Sequence, residues 1–202
     1  MPGASVQEQP LTSSQDQAVW LYDTIEALGL ERIHLAGFSF GGLQAATFAV
    51  NYPDRVASLS LLDPAFVFAP VKPLFLVGGF TASFPLLPDA FARSYTGWIS
   101  GGSSASRQSP LAPLLDHGRK HFATVLPAPQ QLTPDQLSQI TAPTYAVLAG
   151  RSVVHDAEAA VRTADALSDL TIRIEPDASH ALHIEHHAVL NREILEFTAR
   201  HD

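Results

Sequence analysis

The stretch that most limits the fold is Gly37-Phe38-Ser39-Phe40-Gly41-Gly42, set between two runs of opposite habit. Before it, "RIHLAG" reads as a short strand; after it, "LQAATFAV" is made of good helix formers. A strand that becomes a helix within so few residues brings two backbones close together, so the positions on either side of the serine must be small. Gly37 and Gly41 meet that need, and Gly42 adds clearance. Such a turn lifts the Ser39 hydroxyl clear of the strand. It also aims the first N–H groups of the helix, that of Phe40 foremost, at any negative charge forming beside the hydroxyl. A phosphate-cradling loop is disfavoured, because neither G-K-[ST] nor G-x-G-x-x-G occurs.

The rest of the chain repeats the strand–helix alternation. "LTSSQDQAVWLYDTIEALGL" predicts a helix, with Ser14 and Gln17 as a capping box, Leu21, Ile25 and Leu28 at helical spacing, and Gly29 as terminator. "RVASLSLLD", "TYAVLAG" and "TIRIEP" predict further strands. "HDAEAAVRTADALS" predicts a helix with Ala160, Ala164 and Leu167 on one stripe, and "HAVLNREILEFTAR" another with Leu190, Ile194 and Phe197. Alternation of this kind predicts an α/β fold, a parallel sheet flanked by helices on both faces. One insertion interrupts it. Residues 64 to about 141 are rich in proline, glycine and serine and carry Phe66, Phe68, Phe75, Phe80, Phe84, Phe91 and Trp98. A structureless loop of that length is improbable inside a domain, so a small helical cap over the sheet is expected, with 100–109 as a flexible loop. The expected organisation is one domain over 1–202, with its core in 1–63 and 142–202.

Charge and composition remove several classes of partner. The formal net charge is −8 and the 12 basic residues are scattered, so nucleic acid is not an expected partner. No apolar run reaches about 18 residues, so no membrane span is expected. The first residues lack the apolar core of a signal peptide, and the expected location is cytoplasmic. Cysteine is absent, which removes thiolate chemistry and Cys-ligated metal.

Gly37-Phe38-Ser39-Phe40-Gly41 matches G-x-S-x-G, the nucleophile elbow, with the strand before it and helix after it that the motif requires. A serine hydroxyl needs a base. Of nine histidines, His180 follows the last strand in "PDASHALHIEH", where a loop lies at the carboxyl end of the sheet beside the elbow. His34 falls within a strand and reads as structural; His117 and His121 read as cap surface. His183, His186 and His187 lack H-E-x-x-H spacing, so no metal and no cofactor are expected. The acid that orients the base has two candidates. Asp63 ends a strand and precedes Pro64, which turns the chain away; Asp156 stands where a helix begins and fits an N-cap. Asp63 is preferred, with Asp156 the alternative.

These segments, in this order, resemble the α/β-hydrolase superfamily, and within it the small esterases and lipases. "LDPA" resembles the stretch that holds the acid in pancreatic-type lipases. The resemblance implies Ser39 as nucleophile, His180 as base and the Phe40 N–H as an oxyanion donor. It departs at Ser152-Val153, where most members keep an acid. It also departs at the front: "MPGASVQEQPLTS" resembles a segment that in the family follows several strands and an H-G loop. The N-terminal part of the sheet is therefore expected to be missing, which leaves the elbow strand at an edge and open to a second copy of the chain. The expected activity is cleavage of a small-molecule carboxylic ester through an acyl-enzyme. The alternatives are a lactonase or C–C bond hydrolase on the same fold, and a catalytically impaired remnant or interaction module.

Overall fold

Two central strands set the frame. The computed structural model describes residues 9–82, 89–110, 113–114, 117–118 and 127–202. Among them, β1 (Ile33–Phe38), β2 (Val56–Leu62), β3 (Thr144–Ala149) and β4 (Leu170–Glu175) form a parallel sheet in the order β1-β2-β3-β4. β2 and β3 are buried along nearly their whole length, whereas β1 alternates between half-covered and exposed positions over its first four residues and β4 is half-covered along most of its length. That difference explains the sequences: "VASLSLL" and "TYAVLA" must satisfy two covered faces, so they carry little polarity.

Helices cover both faces. On one lie α1 (Ser14–Ala27), α2 (Phe40–Asn51) and α7 (Ala157–Ala164); Ile25, Leu43, Phe48, Ala160 and Ala164 pack there with Leu59, Leu61, Ala146 and Leu148. On the other lies α9 (His187–Ala199), whose Leu190 and Phe197 pack with Tyr145, Val147 and Ala149. The segment between β2 and β3 carries α3 (Pro73–Ala82), α4 (Asp89–Ile99), α5 (Ser104–Gln108) and α6 (Pro134–Leu137). A short helix, α8 (Leu182–Glu185), precedes α9.

Three local expectations are corrected. The cap of α1 is Ser13, not Ser14: its hydroxyl accepts from the Asp16 N–H and Asp16 returns a bond to the Ser13 N–H, both 3.0 Å. Asp16 also suits the positive end of the helix, while Gln17 is buried against the core and faces away from that task. Leu28 is 67% exposed, because the helix has ended and Gly29 turns the chain at φ +70°. The 100–109 segment is not wholly loop: Ser103 caps α5 by accepting from the Ser106 N–H. Of the cap aromatics, Phe68 is buried and Phe66 partly so, while Phe91 and Trp98 stay exposed; Phe84 and the side chain of Phe80 lie outside the described residues, as does His121. Among the described residues, no helix is long and apolar enough to cross a membrane.

Candidate active site

The register of β1 against β2 builds the site. Phe38 pairs with Leu62, so the next residue of each strand, Ser39 and Asp63, emerges side by side at the carboxyl end of the sheet. The Ser39 N–H continues the ladder to the Leu62 carbonyl (3.1 Å), and the Asp63 N–H to the Val147 carbonyl (2.8 Å). Ser39 has φ 53° and ψ −121°, a strained conformation for a residue with a side chain. Asp63 also has positive φ, 40°. The strain is held by a short bridge, in which the Ala65 N–H donates to the Ser39 carbonyl at 3.1 Å.

The glycines explain how tightly strand and helix approach. A Cβ on Gly37 would lie 2.4 Å from the Gly41 carbonyl oxygen, and one on Gly42 would lie 2.6 Å from Pro64 Cβ. A Cβ on Gly41 would meet nothing within 4 Å. The clearance expected of Gly41 is thus required of Gly37 and Gly42 instead, because the helix leaves the turn with Gly41 facing outward.

His180 arrives from the loop after β4. Its Nε2 is 2.8 Å from Ser39 Oγ and its Nδ1 is 2.6 Å from Asp63 Oδ2. Ser39 is half-buried, His180 is buried, and Asp63 has no exposed surface. Burial alone would push the Asp63 carboxyl up; the nearby imidazoles of His155 and His180 outweigh it and hold the group well below the usual carboxylate range. Among the described residues, four groups face the carboxylate. Oδ1 accepts the Ala149 N–H (3.0 Å) and has His155 Nε2 at 3.1 Å; Oδ2 accepts the Ser152 hydroxyl (2.7 Å) and faces His180. Asp156 lies elsewhere, exposed at the N-cap of α7, where it accepts the Ala159 N–H at 2.7 Å.

The His180 loop is itself clamped. Glu185 accepts both the N–H and the hydroxyl of Ser179, at 2.9 and 2.8 Å, and Ser179 Oγ accepts the Ala181 N–H at 3.1 Å. Phe38 lies between two imidazoles, its ring centre 4.8 Å from that of His180 and 3.8 Å from that of His183. Burial and then the neighbouring His180 hold His183 below the usual histidine range. Phe75 of α3 sits edge-on to His180 at 6.2 Å and also meets Tyr95 at 6.1 Å. Beyond Phe75, an open cleft of ≈ 220 Å³ is lined by Leu74, Gly78, Phe91, Ser94, Tyr95 and Trp98.

The structure therefore brings Ser39, His180 and Asp63 together and leaves Asp156 apart. His34 bonds to Ser58 and Asp202 (2.8 Å each), in line with a structural role. Among the described residues, no three His, Cys, Asp or Glu side chains are grouped to hold a metal ion. The sequence marks Ser152 only as a departure from the family pattern, and no sequence expectation falls on His155, Ser179 or Glu185. Ser152 and His155 carried a usable signal, since they occupy the loop where an acid is usual and are themselves polar groups in an otherwise apolar "SVVH" run.

Strand, sharp turn and helix, with a hydroxyl, an imidazole and a carboxylate in line above them, suit acyl transfer, and comparison with known proteins points to the same fold. A family model described as alpha/beta hydrolase fold matches residues 2–94. The chain is 30% identical over 198 residues to RutD of Variovorax paradoxus (strain S110), a putative carbamate hydrolase, covering 92% of this chain and 73% of the relative. It is 24% identical over 205 residues to nap, an uncharacterized carboxylesterase of Bacillus subtilis (strain 168), covering 96% and 65%. It is 27% identical over 216 residues to 2-hydroxymuconate semialdehyde hydrolase of Pseudomonas sp. (strain CF600), covering 100% and 75%. The crystal structure of naproxen esterase (carboxylesterase NP) from Bacillus subtilis superposes with a TM-score of 0.82 at 23% identity, over 96% of this chain and 70% of that one. The chain spans just under two thirds of the length of the two B. subtilis carboxylesterases it matches, 65% and 66%. From the elbow, the parallel sheet and these likenesses together, the chain belongs to the α/β-hydrolase fold family.

Proposed function

We propose that the chain cleaves carboxylic esters through Ser39, His180 and Asp63. The observation that carries this reading is the unbroken line of contacts, Ser39 Oγ to His180 Nε2 at 2.8 Å and His180 Nδ1 to Asp63 Oδ2 at 2.6 Å. Ser39 Oγ attacks the ester carbonyl while His180 Nε2 takes its proton. Asp63 keeps the imidazole in the tautomer with its proton on Nδ1 and stabilises the imidazolium. The tetrahedral oxyanion faces the N–H of Phe40, which opens α2 and has no acceptor within the helix. Collapse returns the proton from His180 to the leaving alcohol and leaves an acyl-serine. A water molecule, deprotonated by His180, then attacks the acyl carbon; the acid departs and Ser39 recovers its proton. The carboxylesterase relatives support an ester as substrate.

A fluorophosphonate probe and p-nitrophenyl esters test this. Ser39 is expected to be the labelled residue. Ser39→Ala and His180→Ala should each remove nearly all turnover, with the double variant no worse than either, because groups that act as a unit are not additive. Folded chain that is neither labelled nor active would be the impaired remnant instead. A second reading, C–C bond hydrolysis from the same serine, is favoured by the match to 2-hydroxymuconate semialdehyde hydrolase, which spans all of this chain and 75% of that relative. Faster turnover of that semialdehyde than of any ester would select it.

A further inference from the structure

His155 is a buried imidazole that the chemistry above does not use. It is 1% exposed, and neither of its ring nitrogens has an in-line hydrogen-bond partner among the described residues. Its Nε2 nevertheless lies 3.1 Å from Asp63 Oδ1, off the line of a directed bond but well within the range of a strong electrostatic contact. A buried polar ring with one charged neighbour is costly unless that neighbour repays it.

The loop that carries His155 is fixed from several sides. The Arg151 N–H donates to the Ala178 carbonyl (3.0 Å), the Ser152 N–H to the Ala149 carbonyl (3.1 Å) and the Val154 N–H to Ser152 Oγ (3.2 Å). Lys72 braces it from the segment before α3: its N–H donates to the Val154 carbonyl (2.7 Å) and its Nζ to the Ser152 carbonyl (2.9 Å). The titratable and charged groups around it are Asp63 at the end of β2, His180 after β4, Lys72 before α3, and Arg151 and Asp156 in its own loop, with Asp156 engaged at the start of α7.

We propose that His155 is a positioning residue for the Asp63 carboxylate: its imidazole, with the proton on Nε2, holds Oδ1 while Ser152 and His180 hold Oδ2, and so limits how strongly Asp63 draws the proton of His180. The tautomer follows from charge, since a lone pair on Nε2 would face an anionic oxygen at 3.1 Å. The inference rests on the reading of Ser39, His180 and Asp63 given above. Its sign can be worked out. With the His155 N–H gone, the carboxylate keeps more of its charge for His180. The imidazolium is then more stable, and the acid limb of kcat/KM moves to higher pH.

The test uses the intact chain and p-nitrophenyl butyrate. His155→Phe keeps a ring and loses the donor. Its acid limb should rise by about half a unit or more and kcat should fall about tenfold, with KM within about twofold, as for one lost electrostatic contact to a buried charge. His155→Gln, whose amide N–H can reach Oδ1, should return the limb towards wild type. Limbs that coincide in all three proteins would overturn the proposal and leave His155 as filler. Should either variant fail to fold, nitrogen NMR of histidine-labelled wild type decides: a proton on His155 Nε2 supports the proposal, and one on Nδ1 overturns it. Fluorophosphonate labelling separates the two ideas. Labelled Ser39 with unmoved limbs sinks the role of His155 alone; unlabelled Ser39 sinks the hydrolase reading, and the NMR result then still reports on His155 against Asp63.

Discussion

Replacing Asp63 by Asn tests the site most sharply, because the change is nearly isosteric and the partners of the carboxylate among the described residues are known. As a carboxylate it faces four groups: the Ala149 N–H, the Ser152 hydroxyl, His180 Nδ1 and His155 Nε2. An amide has one accepting oxygen and one donating NH2. If the NH2 takes the place of Oδ2, it meets His180 and the Ser152 hydroxyl; if it takes the place of Oδ1, it meets the Ala149 N–H and His155. Either way a donor faces donors, and the first arrangement drives His180 into the tautomer with its proton on Nε2, where it cannot accept from Ser39. The expected loss in kcat is roughly 10²- to 10⁴-fold, or about 3 to 5 kcal/mol of barrier. Steady-state hydrolysis of p-nitrophenyl butyrate measures it. Stability should fall as well, by about 1 to 3 kcal/mol for each buried group left unsatisfied.

The pH dependence of that stability has a defined sign. Asp63 binds its proton more weakly folded than unfolded, so its stabilisation is present above the unfolded value of about 3.9 and is lost as pH falls below it. Wild type should therefore lose stability progressively as pH falls below about 4, more steeply than Asp63→Asn in urea melts. Asp156→Ala, by contrast, should cost about 1 kcal/mol as a lost helix cap and leave kcat intact. Asp63→Asn with more than a tenth of wild-type kcat, beside an inactive Asp156→Ala, would refute the assignment and move the acid to Asp156.

Three further outcomes are expected. Gly37→Ala puts a methyl 2.4 Å from the Gly41 carbonyl oxygen and should destabilise by about 1 to 3 kcal/mol, whereas Gly41→Ala, which meets nothing, should be neutral or stabilising by up to about 1 kcal/mol; equal urea midpoints for the two would contradict the packing argument. The apolar cleft beside Phe75 predicts that kcat/KM rises with acyl length from acetate towards hexanoate, by up to about fourfold per methylene at about 0.8 kcal/mol each, and a flat series would show that the cleft does not take the acyl chain. The outer edge of β1 has no strand partner among the described residues, so purified chain should self-associate in light scattering; a monodisperse monomer at high concentration would count against pairing through that edge.

Local chemistry was legible in the sequence and tertiary chemistry was not. Strand and helix periods, the strand–turn–helix at Ser39 and the Asp-Pro end of β2 are encoded within a few residues, and each element appears where its pattern lies. The cap of α1 shifted by one because Ser13 and Ser14 are equally good caps on paper; burial of Gln17 on the core face decides between them, and burial is a property of the packed helix. The role of Gly41 is hidden in the sequence for a similar reason, since only the direction in which α2 leaves the turn tells which glycine faces the strand. Ser152 and His155 are 89 and 92 residues from Asp63 along the chain. Two polar residues in an otherwise apolar loop mark the place, but no local rule reports which carboxylate they meet.

The placement of the Asp63 carboxylate beside Ser39 follows from strand register rather than from any feature of Asp63 itself. Two parallel strands in register end side by side, so the residues after β1 and after β2 necessarily neighbour each other. β3 runs further: Leu62 pairs with Val147, and β3 continues to Ala149 before it turns. Its loop therefore starts above the level of Asp63 and can fold back over it, which is how the Ala149 N–H, the Ser152 hydroxyl and His155 come to surround one carboxylate. Ser152 Oγ already lies 2.7 Å from Asp63 Oδ2, so an aspartate at 152 would press its carboxylate against Asp63, and two buried carboxylates in contact cannot both ionise at neutral pH. The loop can supply the acid or cradle it. With Asp63 in place, serine at 152 and histidine at 155 are the residue types that let it cradle.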